Sequence, residues 1–428
     1  MVKQAWGRLS RWKRGAVCLL LGASALHFAA GSWSAAKYGF VDLSIFLQRT
    51  SEFARGGELY PAADNLLAYR PAAPVYKFPP LFAMLLLPQV QGGVGEHLYL
   101  AHWVVHLLLY ASAVTFLGLT FAQRGGAAYL LALVLVALNF VPFFETLWRL
   151  QLETPILFLC ALALWLAHKR LPFWAGAALG VATMLKVYPV FLLGWFVVRR
   201  SGRGLLGAAL TMVGIGVCGW WVIGPEQNRL YWTVILPRLM QEVPFVDPEN
   251  VSLAKPLQSL AGLAPQAAKR AAQLISLVSL SVGYGVLYRR RAGRRLPIDA
   301  ELSFGLFLCT MLLFLPNAWT NYLVLLLVPI AIVLSHGVVA RVSVPPWAVG
   351  TLAFGFFLTL FLTPCGPWDP QVPCTRDPAF LGLLHWPRGL HDMLVEWKAL
   401  VVPLVLAVWF AVARRAETAA NRAASATT

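Results

Sequence analysis

Long apolar segments constrain this chain more than any other feature of its sequence. Several of them reach the ~18 residues that a helix needs to cross the hydrocarbon core of a bilayer. Only 12% of the residues are charged, far fewer than in a soluble protein of this length. Spans are predicted at about 15–33, 98–121, 127–144, 154–167, 172–185, 188–198, 204–223, 271–288, 302–316, 320–336, 346–363 and 397–413.

These spans predict an all-α, polytopic transmembrane helical bundle with about ten to twelve crossings. We assign residues 1–415 to one integral membrane domain. The remainder, 416–428, is small and polar and is predicted to be a disordered cytoplasmic tail. The first apolar segment lacks a clear cleavage site, so we interpret it as a retained helix.

The formal net charge of +17 indicates how the spans are oriented. If the N-terminus is cytoplasmic and the spans alternate, the cytoplasmic segments hold 20 of the 35 basic residues and three of the 18 acidic ones. The other side is then neutral. This asymmetry supports the orientation, because the positive-inside rule counts Lys and Arg near the ends of spans. We therefore predict cytoplasmic termini and no nucleic-acid binding, because the basic clusters lie in short loops.

The loops on the opposite side are long, at about 34–97, 224–270 and 364–396, and we expect function there. Cys365 and Cys374 fall together in the last of these loops, where they either form a disulfide or remain two free thiols. Cys18, Cys160, Cys218 and Cys309 fall in spans, where a thiol is a small apolar filler.

Asp42 follows the first span and begins a segment with helical spacing of apolar residues, which Gly56-Gly57 should terminate. We expect this helix to lie flat in the membrane interface. The carboxylate is open to two interpretations. It either caps the helix or acts as a general base at the rim of the membrane.

Further candidates stand at the predicted outer ends of spans. Tyr76 and Lys77 precede Pro79-Pro80, either as a structural corner with a snorkelling lysine or as part of a site. Arg149, Gln151 and Glu153 alternate at another boundary, where an interfacial rim is the simpler interpretation.

Lys186 stands between two apolar halves, and Tyr188-Pro189 directly after it predicts a break in the helix. An ionisable residue within a membrane segment is costly and is a functional candidate by default. A point charge of this kind suits phosphate binding.

Two later segments add polar candidates. The segment "NVSLAK" places Asn250, Ser252 and Lys255 in the middle loop, as an anion site or as ordinary loop residues. The segment "PNAWTNY" places Asn317, Asn321 and Tyr322 at the outer end of a span. An aromatic belt explains the tyrosine but not the two asparagines.

Metal and nucleotide chemistry find little support in the sequence. His102 and His106 are spaced i, i+4, but no carboxylate shares their helix face, so we expect no metal there. There is no outer D-x-D motif and no P-loop. We therefore expect no cofactor.

In this order, the motifs resemble glycosyltransferase family 87, which comprises polyprenol-phosphate-sugar-dependent membrane enzymes of the GT-C class. The resemblance runs from about Asp42 to Pro329. Its motifs are Asp42 with Gly57 to Tyr60, Tyr76 to Pro88, Gln151 with the following span, Lys186 with Pro189, Asn250 with Ser252-Leu253, and Trp319 to Pro329.

The resemblance implies an inverting transfer of a sugar, typically mannose, from a polyprenyl phosphate to a glycan or lipid acceptor on the extracytoplasmic face. Asp42 would be the base. Lys186, with Lys77, Lys255 or Asn250, would stabilise the leaving phosphate. A bacterial cytoplasmic membrane is the implied location, and mannosyltransferase-like activity needs neither metal nor nucleotide.

The chain departs from the family pattern in two places. It has Leu150-Gln151-Leu152-Glu153 where the family often has Gly-Gln-x-Asn, and Asn321 where a histidine is frequent. The main alternative function is a polytopic transporter or a lipid or glycolipid flippase, which internal repeats and polar residues at mid-span would favour. We see no such repeat. A structural membrane subunit is a further alternative, for which Lys186 has no explanation.

Overall fold

The computed structural model describes residues 10–38, 41–60, 76–244, 249–289, 300–339, 347, 350–351, 354–355 and 398–425. These residues are predominantly helical. The α-helices of the first half are α1 (Arg11–Tyr38), α2 (Val41–Ala54), α3 (Pro80–Val90), α4 (Glu96–Leu138), α5 (Val141–Arg149), α6 (Glu153–His168), α7 (Pro172–Leu185), α8 (Leu193–Val198) and α9 (Gly202–Val222).

The second half continues in the same manner. It contains α10 (Pro225–Leu230), α11 (Leu236–Gln241), α12 (Ala254–Ser259), α13 (Pro265–Arg289), α14 (Ala300–Phe314), α15 (Leu327–Val339) and α16 (Val401–Ser425). A π-helical turn lies at Tyr231–Ile235, and 3₁₀ segments lie at Tyr188–Leu192, Thr320–Leu326 and Lys398–Leu400.

Within the described part of the chain, four helices are long and apolar enough to cross a membrane, judged by length and composition: α1, α4, α9 and α13. Several shorter apolar helices of 10–17 residues accompany them. The prediction of an all-α, polytopic membrane bundle is confirmed. The number of crossings stays a prediction.

Two predicted features differ in detail from the structure. The predicted spans 98–121 and 127–144 meet at Gly126, a kink within α4 whose φ of 60° and ψ of −157° are not helical. The second predicted span also runs past the end of α4 at Leu138 into α5. Gly126 therefore separates two helical segments, as the sequence predicts, although no extended loop lies between them. At the other end of the chain, α16 continues to Ser425, into the segment predicted to be disordered. Cys365, Cys374 and most of the predicted span 346–363 lie outside the described residues.

The helix predicted after Asp42 is present as α2. It ends where the glycines predict, because Gly56 has φ 93° and donates its N–H to Phe53 O at 3.0 Å. Gly57 N–H donates to Glu52 O, also at 3.0 Å. This pair of hydrogen bonds is a Schellman motif, which satisfies the last carbonyls of a helix. The interfacial position of α2 stays a prediction.

The chain divides into two compact units. One comprises residues 34–113 and 146–243 and is called here the middle unit. Within it, α7 and α9 meet backbone to backbone. A Cβ added to Gly176 would lie 1.8 Å from Gly204 O, and one added to Gly207 would lie 2.0 Å from Phe173 O. Small residues that allow such close approach are typical of packed membrane helices.

The other unit, called here the outer-segment unit, comprises residues 1–33, 114–145 and 244–428. Its core is α14, which is buried along nearly its whole length. Two side-chain hydrogen bonds reach the backbone of this helix. Ser276 Oγ donates to Thr310 O at 2.6 Å, and Trp409 Nε1 donates to Leu302 O at 2.9 Å.

Candidate active site

Asp42 lies in the first turn of α2, where the helix dipole favours a negative charge. Its side chain is 19% exposed. Gln151 Nε2 donates a hydrogen bond to Asp42 Oδ2 at 2.6 Å, and Arg149 places a guanidinium nitrogen 3.6 Å from the same oxygen. Both contacts that the structure describes therefore fall on Oδ2. Both described contacts of Asp42 are therefore made by side chains from a distant part of the chain.

The end of α5 brings Arg149 and Gln151 to the same carboxylate. Leu150 has φ 51°, in the left-handed region, and its N–H donates to Leu147 O at 3.3 Å. Gln151 N–H donates to Thr146 O at 3.2 Å. This is again a Schellman motif, but with leucine at the position that usually holds glycine. The resulting reversal of the chain carries Gln151 back toward the helix end where Arg149 lies.

Lys186 and Glu153 form a second charged pair in the middle unit. The helix α7 ends at Leu185, and Lys186 has extended backbone with φ −154° and ψ 131°, which confirms the predicted break. Lys186 Nζ donates to Glu153 Oε1. The Glu153 side chain is fully buried, so its charge needs a partner. The ammonium also lies 5.1 Å from the centre of the Phe78 ring and 5.8 Å from that of Tyr188, within range of cation–π attraction.

The two charged pairs are connected within the same unit. Gln151, which contacts Asp42, and Glu153, which contacts Lys186, are two residues apart and therefore at most about 7 Å apart along the chain. The ring of Phe46, on α2, packs edge to face against Phe78 at 4.8 Å. Phe78 in turn lies beside the Lys186 ammonium. The carboxylate and the ammonium thus belong to one packed cluster.

Tyr76 and Lys77 lie in the segment that leads into α3. Tyr76 is buried among aromatic rings, including those of Phe46 and Tyr60. Burial raises the pKa of the Tyr76 phenol well above its usual range, so this group stays protonated. Lys77 Nζ donates to Glu242 Oε1 at 3.1 Å and is about one third exposed.

The remaining predicted site residues lie in the outer-segment unit. Asn250 Oδ1 accepts from Ser252 N at 2.9 Å and from Ala318 N at 3.2 Å, and Asn250 Nδ2 donates to Asn317 Oδ1 at 3.1 Å. Ser252 Oγ donates to Pro316 O at 2.7 Å. These bonds, with an antiparallel bridge between Asn250 and Trp319, fasten two loops together. Buried side chains in the same region are Lys255, Asn321 and Tyr322.

Sequence reasoning did not assign two residues around Asp42 to the site. The only local sequence signal for Arg149 is its charge, because its partner Asp42 is 107 positions away in the chain. His106, considered above only as a metal ligand, lies with Nε2 3.1 Å from Gln151 O. A sequence signal for this contact is Pro155. Because proline has no N–H, the Gln151 carbonyl lacks its usual donor in the helix that follows and needs one from elsewhere.

Apolar membrane-length helices, together with a carboxylate and an ammonium held in one cluster, define an integral membrane protein with a charged site within its helical bundle. The chain belongs to glycosyltransferase family 87, whose family model matches residues 76–316. It is therefore an integral membrane glycosyltransferase. No curated protein and no solved structure matches the chain. The matched segment includes Gln151, Glu153 and Lys186, whereas Asp42 precedes it and Asn321 follows it.

Proposed function

We propose that the protein transfers a sugar, typically mannose, from a polyprenyl-phosphate donor to a lipid or glycan acceptor, with inversion at the anomeric carbon. One observation carries this proposal. In a chain of this family, a carboxylate is held by Gln151 and Arg149 through a single oxygen, Asp42 Oδ2. Such an arrangement orients the other oxygen, Oδ1, to accept a proton from an acceptor hydroxyl.

The proposed reaction is a single displacement. The acceptor hydroxyl gives its proton to Asp42 Oδ1 while its oxygen bonds to the anomeric carbon of the donor. The bond from that carbon to the phosphate oxygen breaks, and its electron pair leaves with the lipid phosphate. A positioned base of this kind contributes on the order of 10²–10⁴-fold to the rate.

The leaving phosphate needs positive charge near it as its bond breaks. Lys186 is the candidate for this role. Because its ammonium is paired with Glu153, a phosphate bound there competes with this carboxylate. Arg149, 3.6 Å from Asp42, brings a second cation into the cluster.

Two buried acceptor atoms support binding of a sugar in the same cluster. Among the described residues, neither Gln151 Oε1 nor Glu153 Oε2 has a hydrogen-bond partner. A buried acceptor without a partner is costly. Sugar hydroxyls are O–H donors, so we propose that they satisfy these two atoms. Contacts from Tyr76, Lys77, Asn250, Ser252, Lys255, Asn317, Asn321 and Tyr322 to the substrates stay predictions from sequence.

The proposal is tested by sugar transfer in membranes that contain polyprenyl-phosphate mannose and candidate lipid acceptors. Asp42→Asn should reduce transfer on the order of 10²–10⁴-fold while expression and thermal stability hold. Glu52→Gln is a matched control, because Glu52 is an acid on the same helix that pairs with Arg49. Full transfer by a folded Asp42→Asn protein would refute the role of Asp42. A panel of polyprenyl-phosphate sugars and nucleotide sugars identifies the donor.

We further propose that both termini are cytoplasmic and that the site opens on the extracytoplasmic face of a bacterial cytoplasmic membrane. The charge asymmetry of the loops supports this orientation. Cysteine labelling tests it at two exposed positions. Glu58→Cys, in the loop after α2, should react with an impermeant thiol reagent in intact cells, whereas Arg200→Cys should react only after permeabilisation. The reverse pattern would place the site on the cytoplasmic side.

A further inference from the structure

The carbonyl group of Gln151 has no partner in the helix that follows it. In the usual ladder, this carbonyl would accept from the N–H of residue 155, but that residue is proline and has no N–H. The next carbonyl, Leu152 O, does accept in the normal way, from Ile156 N at 3.0 Å. Gln151 O is therefore a helix-end acceptor that needs a donor from elsewhere.

His106, on the neighbouring helix α4, can supply that donor in the tautomer that carries its proton on Nε2. Its ring Nε2 lies 3.1 Å from Gln151 O, and the residue is buried. Its Nδ1 lies 2.7 Å from His102 O, one turn back in α4. A neutral imidazole carries one N–H, so it can donate to only one of these two carbonyls. The His102 carbonyl already has a donor in the helix ladder, so we assign the proton to Nε2, which faces Gln151 O.

The same glutamine contacts the proposed base. Gln151 uses its backbone carbonyl toward His106 and its side-chain amide toward Asp42 Oδ2. Moreover, Gln151 follows Leu150, whose left-handed backbone is unfavourable for leucine. This backbone conformation persists only when surrounding contacts stabilise it, and the hydrogen bond to Gln151 O is such a contact.

We infer that His106 is a positioning residue for the transfer reaction: it holds the Gln151 backbone so that the Gln151 amide can orient Asp42. This inference rests on the proposed function of Asp42. It assigns to an imidazole on α4 an effect on catalysis without contact with the substrate.

Three substitutions distinguish the ring nitrogens. In His106→Gln, the amide Nε2 stands about as far from Cβ as the imidazole Nε2, so it can still donate to Gln151 O. In His106→Asn, the amide Nδ2 corresponds to the imidazole Nδ1 and falls short. His106→Leu removes both contacts. We expect His106→Leu and His106→Asn to lower kcat by about tenfold, the loss expected for one hydrogen bond. His106→Gln should stay near the wild-type value, with KM for the donor little changed in all three.

His102→Leu is the matched control. His102 is the same residue type one turn earlier on α4, but its Nε2 contacts Gln89 Oε1 at 2.8 Å and not the Gln151 segment. It should keep wild-type kcat. Amide hydrogen exchange in the segment 146–156 supplies a readout that does not depend on activity. It should increase in His106→Leu and remain at the wild-type rate in His106→Gln and His102→Leu.

A double-mutant cycle tests whether the effect passes through Gln151. When Gln151→Leu is already present, adding His106→Leu should cause no further loss of kcat, because the coupling is between these two residues. Equal losses in the Gln, Asn and Leu variants, or wild-type kcat in His106→Leu, would overturn the inference. Those results leave the role of Asp42 intact. Conversely, an active and folded Asp42→Asn protein would refute the proposed function, whatever the His106 variants do.

Discussion

Gln151 donates its side-chain amide to Asp42 over 2.6 Å, although 109 positions separate the two residues in the sequence. The contact joins the first turn of α2 to the link between α5 and α6. It also leaves Asp42 with a defined orientation before any substrate arrives. Preorganisation of this kind lowers the cost of reaching the reactive geometry.

Replacing Gln151 by leucine should therefore slow sugar transfer. A hydrogen bond to a charged group contributes about 1.5–3 kcal/mol, which corresponds to a loss of roughly 10–100-fold in kcat/KM. Gln48→Leu is a suitable control, because Gln48 donates to Glu52 on the exposed side of α2. Steady-state kinetics in membranes provides the measurement. Equal activity of the two variants would show that the Gln151 amide does not act on Asp42.

The Lys186–Glu153 pair allows folding and substrate binding to be separated. Lys186→Met alone should destabilise the protein by about 3–5 kcal/mol, because it leaves the buried Glu153 charge without its partner. Adding Glu153→Leu removes that charge and should restore most of the thermal stability. If Lys186 binds the donor phosphate, the double variant folds but has a strongly raised KM for the donor. A double variant with wild-type KM would place the phosphate elsewhere.

Substitutions of Asn250, in the outer-segment unit, can distinguish a structural role of this residue from a contact with the substrate. Asn250→Ala leaves the N–H groups of Ser252 and Ala318 without their acceptor, at a cost of about 1–3 kcal/mol for each buried group. We expect a lower Tm in detergent. Asn250→Asp keeps the acceptor oxygen and should lose less stability. A change in donor KM at unchanged Tm would instead favour the substrate contact predicted from sequence.

Leu150 and Arg200 share a backbone conformation but should respond oppositely to glycine. Their φ values are 51° and 52°, and each follows a helix end. Left-handed backbone costs a non-glycine residue about 1–2 kcal/mol. Arg200 is exposed, so Arg200→Gly should raise Tm. Leu150 is buried, and removing a buried leucine costs about 2–5 kcal/mol, which exceeds the relief of strain. Leu150→Gly should therefore lower Tm. Thermal unfolding of the two variants side by side checks both signs.

Sequence reasoning succeeded where the determinants are local. The helix after Asp42 and its stop at Gly56 follow from apolar spacing and glycine, and the break at Lys186 follows from the proline three residues on. It did not separate α5 from the preceding span, because the two residues at this break, Asn139 and Phe140, include no glycine. It did not mark the end of α5 either, because Leu150 occupies the position that usually holds glycine. The partnership of Asp42 with Arg149 and Gln151 depends on tertiary packing, and nothing in the local sequence encodes it.

The glycine contacts between α7 and α9 have a consequence for the position of Lys186, which follows α7, relative to the neighbouring helix. With backbone touching backbone at Gly176 and Gly207, there are no side chains that could rotate aside and let one helix slide along the other. Lipid thickness varies among membranes, and helices usually adapt to it by tilting or shifting. The position of Lys186 along the axis of α9 is thus set by helix packing within the protein and does not follow changes in lipid thickness.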